Sequence, residues 1–161
     1  MNRLTFAAGT MCTLIGPPGC GKSALAAQWP DTWRVCLDFY RKLAADTETD
    51  QSATPVAVQI QDLLLDARLA RGLTTIVDST NLRAPVRTGL LARAARWERP
   101  AVAVLFDVPL ATVEAQNATR DRVVPAHIVR EFHRLLPTVG QLHDEGWPTV
   151  HLASTLTRSD R

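Results

Sequence analysis

The sequence predicts an α/β fold, a three-layer domain built on a mostly parallel sheet of about five strands. Three observations carry this. Near-continuous apolar runs alternate with segments of helical periodicity along the chain. A glycine-rich turn joins the first apolar run to the first helical one. Three of the runs end in an aspartate, at the sheet edge where open α/β sheets bind ligands.

The strands are expected at Met11–Ile15, Arg34–Leu37, Thr74–Val77, Ala101–Phe106 and Thr149–Leu152. Their unbroken hydrophobicity suits strands covered on both faces. Between them, Val56, Ile60, Leu63, Leu64 and Ala67 form one helical stripe, with Gly72 as its stop. Val86, Leu90, Leu91, Ala94 and Trp97 form a second, followed by Pro100. Leu110 to Ala118 is a short third. Pro125 opens a fourth, with Ile128, Phe132, Leu135 and Leu136 on one face and Pro137 as its end or kink. Ser154 to Arg161 reads as a frayed tail.

The 161 residues suit one domain, 1–161, with a core over about 11–152. A hydrophobic share of 46% and a charged share of 21% fit a soluble globular chain. The net charge of +2 is too small to argue nucleic-acid binding by itself. Cys12, Cys20 and Cys36 lack the spacing of metal ligands or of a disulfide framework. No run approaches the roughly 18 apolar residues of a membrane span. Met1 to Phe6 lacks the apolar core of a signal peptide, so a cytoplasmic location and no membrane partner are expected.

The glycine-rich turn is Gly16-Pro17-Pro18-Gly19-Cys20-Gly21-Lys22-Ser23, a match to the phosphate-binding P-loop (Walker A) pattern. Met11–Ile15 precedes it and Ala24–Ala27 follows, which is the strand–loop–helix setting the motif requires. Glycines let backbone N–H groups turn inward onto phosphate oxygens, and the helix start favours the same anion. Lys22 is expected on the β- and γ-phosphates of a nucleotide and the Ser23 hydroxyl on Mg²⁺. Lys22 and Lys42 are the only lysines in an arginine-rich chain.

Asp38 follows the second run and Arg41 lies one turn later. A carboxylate there can take the proton of an attacking hydroxyl, and the arginine can grip an anionic acceptor. The alternative is a helix cap and a solvated arginine. Asp78-Ser79-Thr80-Asn81 follows the third run. Asp78 either holds the metal or orients the acceptor, or it only shapes a turn. Asp107, before Val108-Pro109, is read as a turn or cap residue or as the metal-side acid instead. Neither Asp78 nor Asp107 is followed by the glutamate that activates water in many ATP hydrolases, which favours transfer over hydrolysis. The polar break at about 117–125 carries Arg120 and Arg122 and reads as a lid that closes over the nucleotide, or as an exposed charged loop.

Together these pieces resemble the 5′-hydroxyl polynucleotide kinases, the kinase domain of phage and bacterial polynucleotide kinase–phosphatases. The matching segments are Gly16–Ser23, Asp38-Phe39-Tyr40-Arg41, Asp50-Gln51, Val77–Asn81, Phe106–Pro109, Asn117–Arg120, Val124-Pro125 and Ile128-Val129-Arg130, in order over nearly the whole chain. The resemblance implies a P-loop kinase-like domain with a helical lid, using ATP and Mg²⁺ and acting on the 5′-OH end of a nucleic acid. It implies that Lys22 and Ser23 bind phosphates and metal and that Asp38 is the general base. Arg41 holds the acceptor phosphate, Asp78 supports the site and Arg120 engages the transferring phosphates. Gln51 and Asn81 are implied as supporting residues on the acceptor side, with Arg122 and Arg130 as further candidates. The chain departs from these relatives in having no room for a phosphatase or ligase module and in its modest charge, although Arg34, Arg41, Arg83 and Arg87 can form a local basic patch. A kinase of a small hydroxylated metabolite, nucleoside, antibiotic or hydroxymethylated base, and a non-enzymatic nucleotide-binding module, are the alternatives.

Overall fold

A computed structural model describes residues 4–156. Five parallel strands, β1 (Met11–Ile15), β2 (Arg34–Val35), β3 (Thr75–Val77), β4 (Ala101–Leu105) and β5 (Thr149–Leu152), form one sheet in the order β2-β3-β1-β4-β5. Seven helices connect or cover them among the described residues: α1 (Lys22–Ala26), α2 (Leu37–Ala45), α3 (Thr54–Ala70), α4 (Ala84–Arg96), α5 (Leu110–Ala118), α6 (Ala126–Arg134) and α7 (Val139–Glu145).

The strand alternation splits the core in two. Met11, Ile15, Val35, Val77, Ala101, Ala103 and Leu105 point to one face, where α3, α4 and α7 supply Leu65, Leu69, Leu90, Ala94 and Leu142. Cys12, Leu14, Ile76 and Val104 point to the other, where α1, α5 and α6 supply Leu25, Val113 and Val129. This is the three-layer α/β architecture. The central strand β1 has β3 on one side and β4 on the other. The connections diverge there, so the crevice at the carboxyl end of β1 is the topological switch point.

Several elements differ from expectation. The second strand ends at Val35 and α2 begins at Leu37, so Asp38 lies in the first turn of a helix with Cys36 at its N-cap. The carboxylate there complements the positive end of the helix. On α3 the buried row is Ala57, Gln61, Leu65 and Leu69, while Val56, Leu63 and Leu64 are exposed. The triple run Leu63-Leu64-Leu65 leaves the periodicity ambiguous, and small Ala57 lets the helix approach the sheet. On α4, Arg87 takes an inward position and Val86 is exposed. Helix α7 is an addition, and its start carries a capping box between Thr138 and Gln141. Of the expected tail, Ser154 and Thr155 form a 3₁₀ turn tied to Asp107, which accepts from Ser154 N at 3.1 Å and from its Oγ at 2.5 Å. Residues 157–161 of that tail, and Met1 to Arg3 of the segment read as lacking a signal-peptide core, lie outside the described residues.

Candidate active site

The P-loop sits where the sheet topology calls for it. Gly19 and Gly21 have φ of 85° and 104°, which a side chain would strain. Gly16 admits no side chain at all: a Cβ would lie 2.6 Å from Cys20 Sγ and 2.8 Å from Phe106 Cβ. The Lys22 ammonium is buried and donates to the carbonyls of Gly16 and Pro17, each at 2.8 Å. Helix α1 spans only Lys22–Ala26. Its dipole is therefore short, and the anion cradle rests on the loop N–H groups and Lys22. Burial pushes the Cys20 thiol upward against the opposing pull of Lys22, which makes it a packing residue.

Asp78 stands directly beside the loop. Its Oδ2 accepts from Ser23 Oγ at 3.2 Å, and Arg34 pairs with the same oxygen at 2.6 Å. The Asp78 side chain is almost fully buried. Burial pulls the Arg34 guanidinium down, but Asp78 and Cys36 beside it together outweigh that pull and raise it above its ordinary value. Asp107, by contrast, is spent on the Ser154 turn. The hydroxyl–carboxylate pair Ser23/Asp78 is the hard-oxygen set that a Mg²⁺ ion shared with phosphates takes. Among the described residues no group of three or more His, Cys, Asp and Glu could hold a metal by itself.

Helix α2 brings Asp38 and Arg41 to the same region. Arg41 pairs with Asp38 one turn away and donates from Nε to the Glu48 carbonyl at 3.1 Å. Cys36, whose thiol burial pushes upward, adjoins them. A cleft of about 540 Å³ is lined by Gly19, Gly21, Lys22 and Ser23 of the P-loop segment together with Asp38, Arg41 and Gln51. Asp78, Arg120 and Arg122 line the same cleft.

The segment read as a lid is part of a helix–loop–helix, α5 and α6 joined by residues 119–125. Asn117 clamps the loop's ends, donating to Val124 O at 2.7 Å and accepting from Val124 N at 3.0 Å. Gly19 lies so close that a Cβ would meet Asn117 Cβ at 3.1 Å. The lid base thus packs on the P-loop itself. Arg130 pairs with Glu114 across the two lid helices and does not line the cleft.

A model of a family described as an AAA domain matches residues 11–138. The chain belongs to this AAA-domain family. No curated protein matches its sequence at a significant level. The fold is shared with a chain of the Pnkp1/Rnl/Hen1 RNA repair complex at TM-score 0.69 and 19% identity over 82% of this chain. The match covers 45% of that RNA-repair chain, so this AAA-domain chain spans less than half of it. A gluconokinase from Sinorhizobium meliloti 1021 matches at TM-score 0.54 and 16% identity, covering 91% of this chain and 83% of that one. Chaetomium thermophilum Kti12, solved with ADP-AlF3, matches at TM-score 0.58 and 13% identity, covering 94% and 90%. The AAA-domain chain therefore has a P-loop kinase-like fold.

Not every residue singled out in the sequence reaches the cleft of this AAA-domain chain. Lys22, Ser23, Asp38, Arg41, Gln51, Asp78 and Arg120 line it together. Gly16, Pro17 and Cys20 shape the loop from behind; Pro18 faces the cleft. Cys20 also lines a second cavity of about 190 Å³ with Gly21, Phe106 and Gln116. Asn81 is buried, and its amide donates to the main-chain oxygens of Leu14, Val77 and Ser79 at 2.7, 3.3 and 3.2 Å. The basic patch of Arg34, Arg41, Arg83 and Arg87 does not form as a free surface. Arg34 is committed to Asp78, Arg41 to Asp38, and Arg87 to Glu145 and the Leu82 carbonyl. Glu48 was missed, since nothing in Asp46-Thr47-Glu48-Thr49-Asp50 marks one acid over another.

Proposed function

We infer that the chain is an ATP-dependent kinase that transfers the γ-phosphoryl group to the 5′-hydroxyl of a DNA or RNA end. The observation that carries this reading is that two sets of residues line one cleft. The P-loop with Lys22 and Ser23 forms a phosphate-donor half, and Asp38 with Arg41 forms an acceptor half. The RNA-repair likeness supports the same acceptor class.

In this reading the loop N–H groups and Lys22 hold the nucleotide phosphates, and Arg120 sets its positive charge against the negative charge on the transferring phosphoryl oxygens. Ser23 and Asp78 would hold Mg²⁺, which would supply charge neutralisation on the phosphate oxygens. Asp38 accepts the proton of the attacking hydroxyl, and Arg41 holds the acceptor in line. The lid excludes water, which favours transfer over hydrolysis.

A second reading is favoured by the gluconokinase likeness: the same machinery acting on a small hydroxylated metabolite. The test is incubation with γ-labelled ATP and Mg²⁺ against 5′-OH DNA, 5′-OH RNA, a nucleoside panel and gluconate. Label on oligonucleotide ends supports the first reading. Label on nucleosides or gluconate and never on oligonucleotides overturns it. Arg41→Ala separates the two further, since only an acceptor with its own phosphate needs that guanidinium.

A further inference from the structure

Arg122 reaches from the lid loop to the acceptor side of the cleft. Its guanidinium lies 3.9 Å from Asp38 Oδ2 and 3.7 Å from Glu48 Oε1. Both separations exceed a hydrogen bond, so Arg122 stands between two carboxylates and is committed to neither. Arg41 has the complementary arrangement: it pairs with Asp38 through Oδ1 and binds Glu48 through its carbonyl. Two guanidinium groups from two different elements therefore flank one carboxylate, and both line the cleft. Arg122 and Glu48 are each about one-third exposed, with room to change partner.

Resting on the reading that the acceptor is a nucleic-acid end, we propose that Arg122 determines acceptor specificity. With Arg41 it grips the phosphodiester adjoining the 5′-hydroxyl, and Glu48 is the carboxylate it leaves to do so. The non-bridging oxygens of a phosphodiester form charge-assisted bonds of roughly 2.7–2.9 Å with guanidinium groups. Such bonds are stronger than the long contacts Arg122 makes with Asp38 and Glu48. Moving Arg122 onto the phosphate takes its charge off Asp38 Oδ2 and leaves that oxygen open to the hydroxyl. In the transfer step the 5′-oxygen bonds to the γ-phosphorus while the bond from phosphorus to the β,γ-bridging oxygen breaks. ADP leaves with that electron pair, and the hydroxyl proton passes to Asp38. A neutral hydroxyl acceptor provides no anion to draw Arg122 away, so it is both held less tightly and met by an encumbered base. Discrimination then resides in the lid as well as in α2.

The test uses matched acceptors, a nucleoside 3′-monophosphate and the same nucleoside without phosphate, each with a free 5′-hydroxyl, and γ-labelled ATP. The wild-type protein should show a KM at least about tenfold lower for the phosphate-bearing acceptor. Arg122→Ala should raise that KM by about tenfold and shrink the preference by a similar factor, with KM for ATP moving far less. Arg122→Lys should restore part of the preference, because a point charge replaces the fork. Glu48→Gln should lower the KM for the phosphate-bearing acceptor, since a competing charge is gone. Loss of activity by the same factor on both acceptors in Arg122→Ala, or a higher KM in Glu48→Gln, overturns the proposal and assigns Arg122 to lid packing. Wild-type labelling of 5′-OH ends with an unaltered preference in Arg122→Ala overturns this inference alone. No wild-type labelling of any phosphate-bearing acceptor overturns the underlying reading and the inference with it.

Discussion

Replacing Asn81 separates what its backbone and its side chain contribute. Asn81 has φ of 49°, a left-handed conformation that asparagine tolerates and alanine does not. Its buried amide is a donor shared among three carbonyls, with Leu14 O the shortest contact at 2.7 Å. Asn81→Ala removes that donor, at about 1–3 kcal/mol for buried acceptors left unpaired. It also places alanine in the left-handed region, at about 1–2 kcal/mol. The expected loss is about 2–5 kcal/mol, a large fraction of the roughly 5–15 kcal/mol that a domain has. Asn81→Gly removes the same donor without the side-chain strain and should be less damaging by about 1 kcal/mol. Asn81→Asp keeps the backbone preference but points a charge at carbonyls, and should be at least as damaging as alanine. The clamp joins Leu14, just before the P-loop, to Ser79, just after Asp78, and Gly16 N bonds Thr80 O at 3.0 Å alongside it. Weakened ATP binding should therefore accompany the lost stability. Urea denaturation of the three variants, with titration of a labelled nucleotide, measures both. An unfolding free energy within about 0.5 kcal/mol of wild type for Asn81→Ala, or equal losses for alanine and glycine, would refute the reasoning.

Three further outcomes are expected. Asp38→Asn should lower transfer by about 10²–10⁴-fold while ATP binding persists, checked by single-turnover transfer beside nucleotide titration. Arg87→Ala should cost about 3–5 kcal/mol, because it leaves Glu145 without its partner and the Leu82 carbonyl without its 2.6 Å donor; urea unfolding measures it, and Glu145→Ala should be non-additive with it. Burial pulls the Asp66 carboxyl upward, but hydrogen bonds from Trp97 and Arg93 outweigh it and hold the group below the ordinary carboxylate range. Its stabilisation is therefore complete above about pH 3.9 and fades as pH falls through its lower folded value. Asp66→Asn should flatten that acid limb, read from Trp97 fluorescence against pH.

The sheet was legible because parallel strands covered on both faces must be largely apolar, and Ala101–Leu105 carries that signal over its full length; the edge strand Thr149–Leu152 carries it more weakly, with Thr149 exposed and His151 inside the run. The P-loop was legible because Gly19 and Gly21 need left-handed backbone that few residues allow. The start of α2 was not: Val35, Cys36 and Leu37 suit a strand as well as a helix entry, and only sheet pairing at Val35 ends the strand. The face of α3 was misread since Leu63, Leu64 and Leu65 are equally apolar, and packing, not periodicity, chose Leu65. Asn81 looked like an acceptor-side residue because its neighbours are polar and at the right edge; its burial depends on the gap between β1 and β3, which no local pattern reports. Helix α7 did carry a signal, the Thr138-x-x-Gln141 capping box, which names a helix start independently of hydrophobic periodicity. Strand order leaves both Asp78 and Asp107 as candidates for the place beside Ser23, because β3 and β4 both flank β1; side-chain contacts decide between them, Asp78 accepting from Ser23 and Asp107 from Ser154.

The most direct measurement of the central claim uses two oligonucleotides of identical sequence, one ending in a 5′-hydroxyl and one in a 5′-phosphate, with γ-labelled ATP and Mg²⁺. The account predicts label on the 5′-hydroxyl strand only, recovered in the first nucleotide after nuclease digestion. Label released solely as inorganic phosphate, or transferred to small hydroxylated compounds while both strands stay unlabelled, would contradict it.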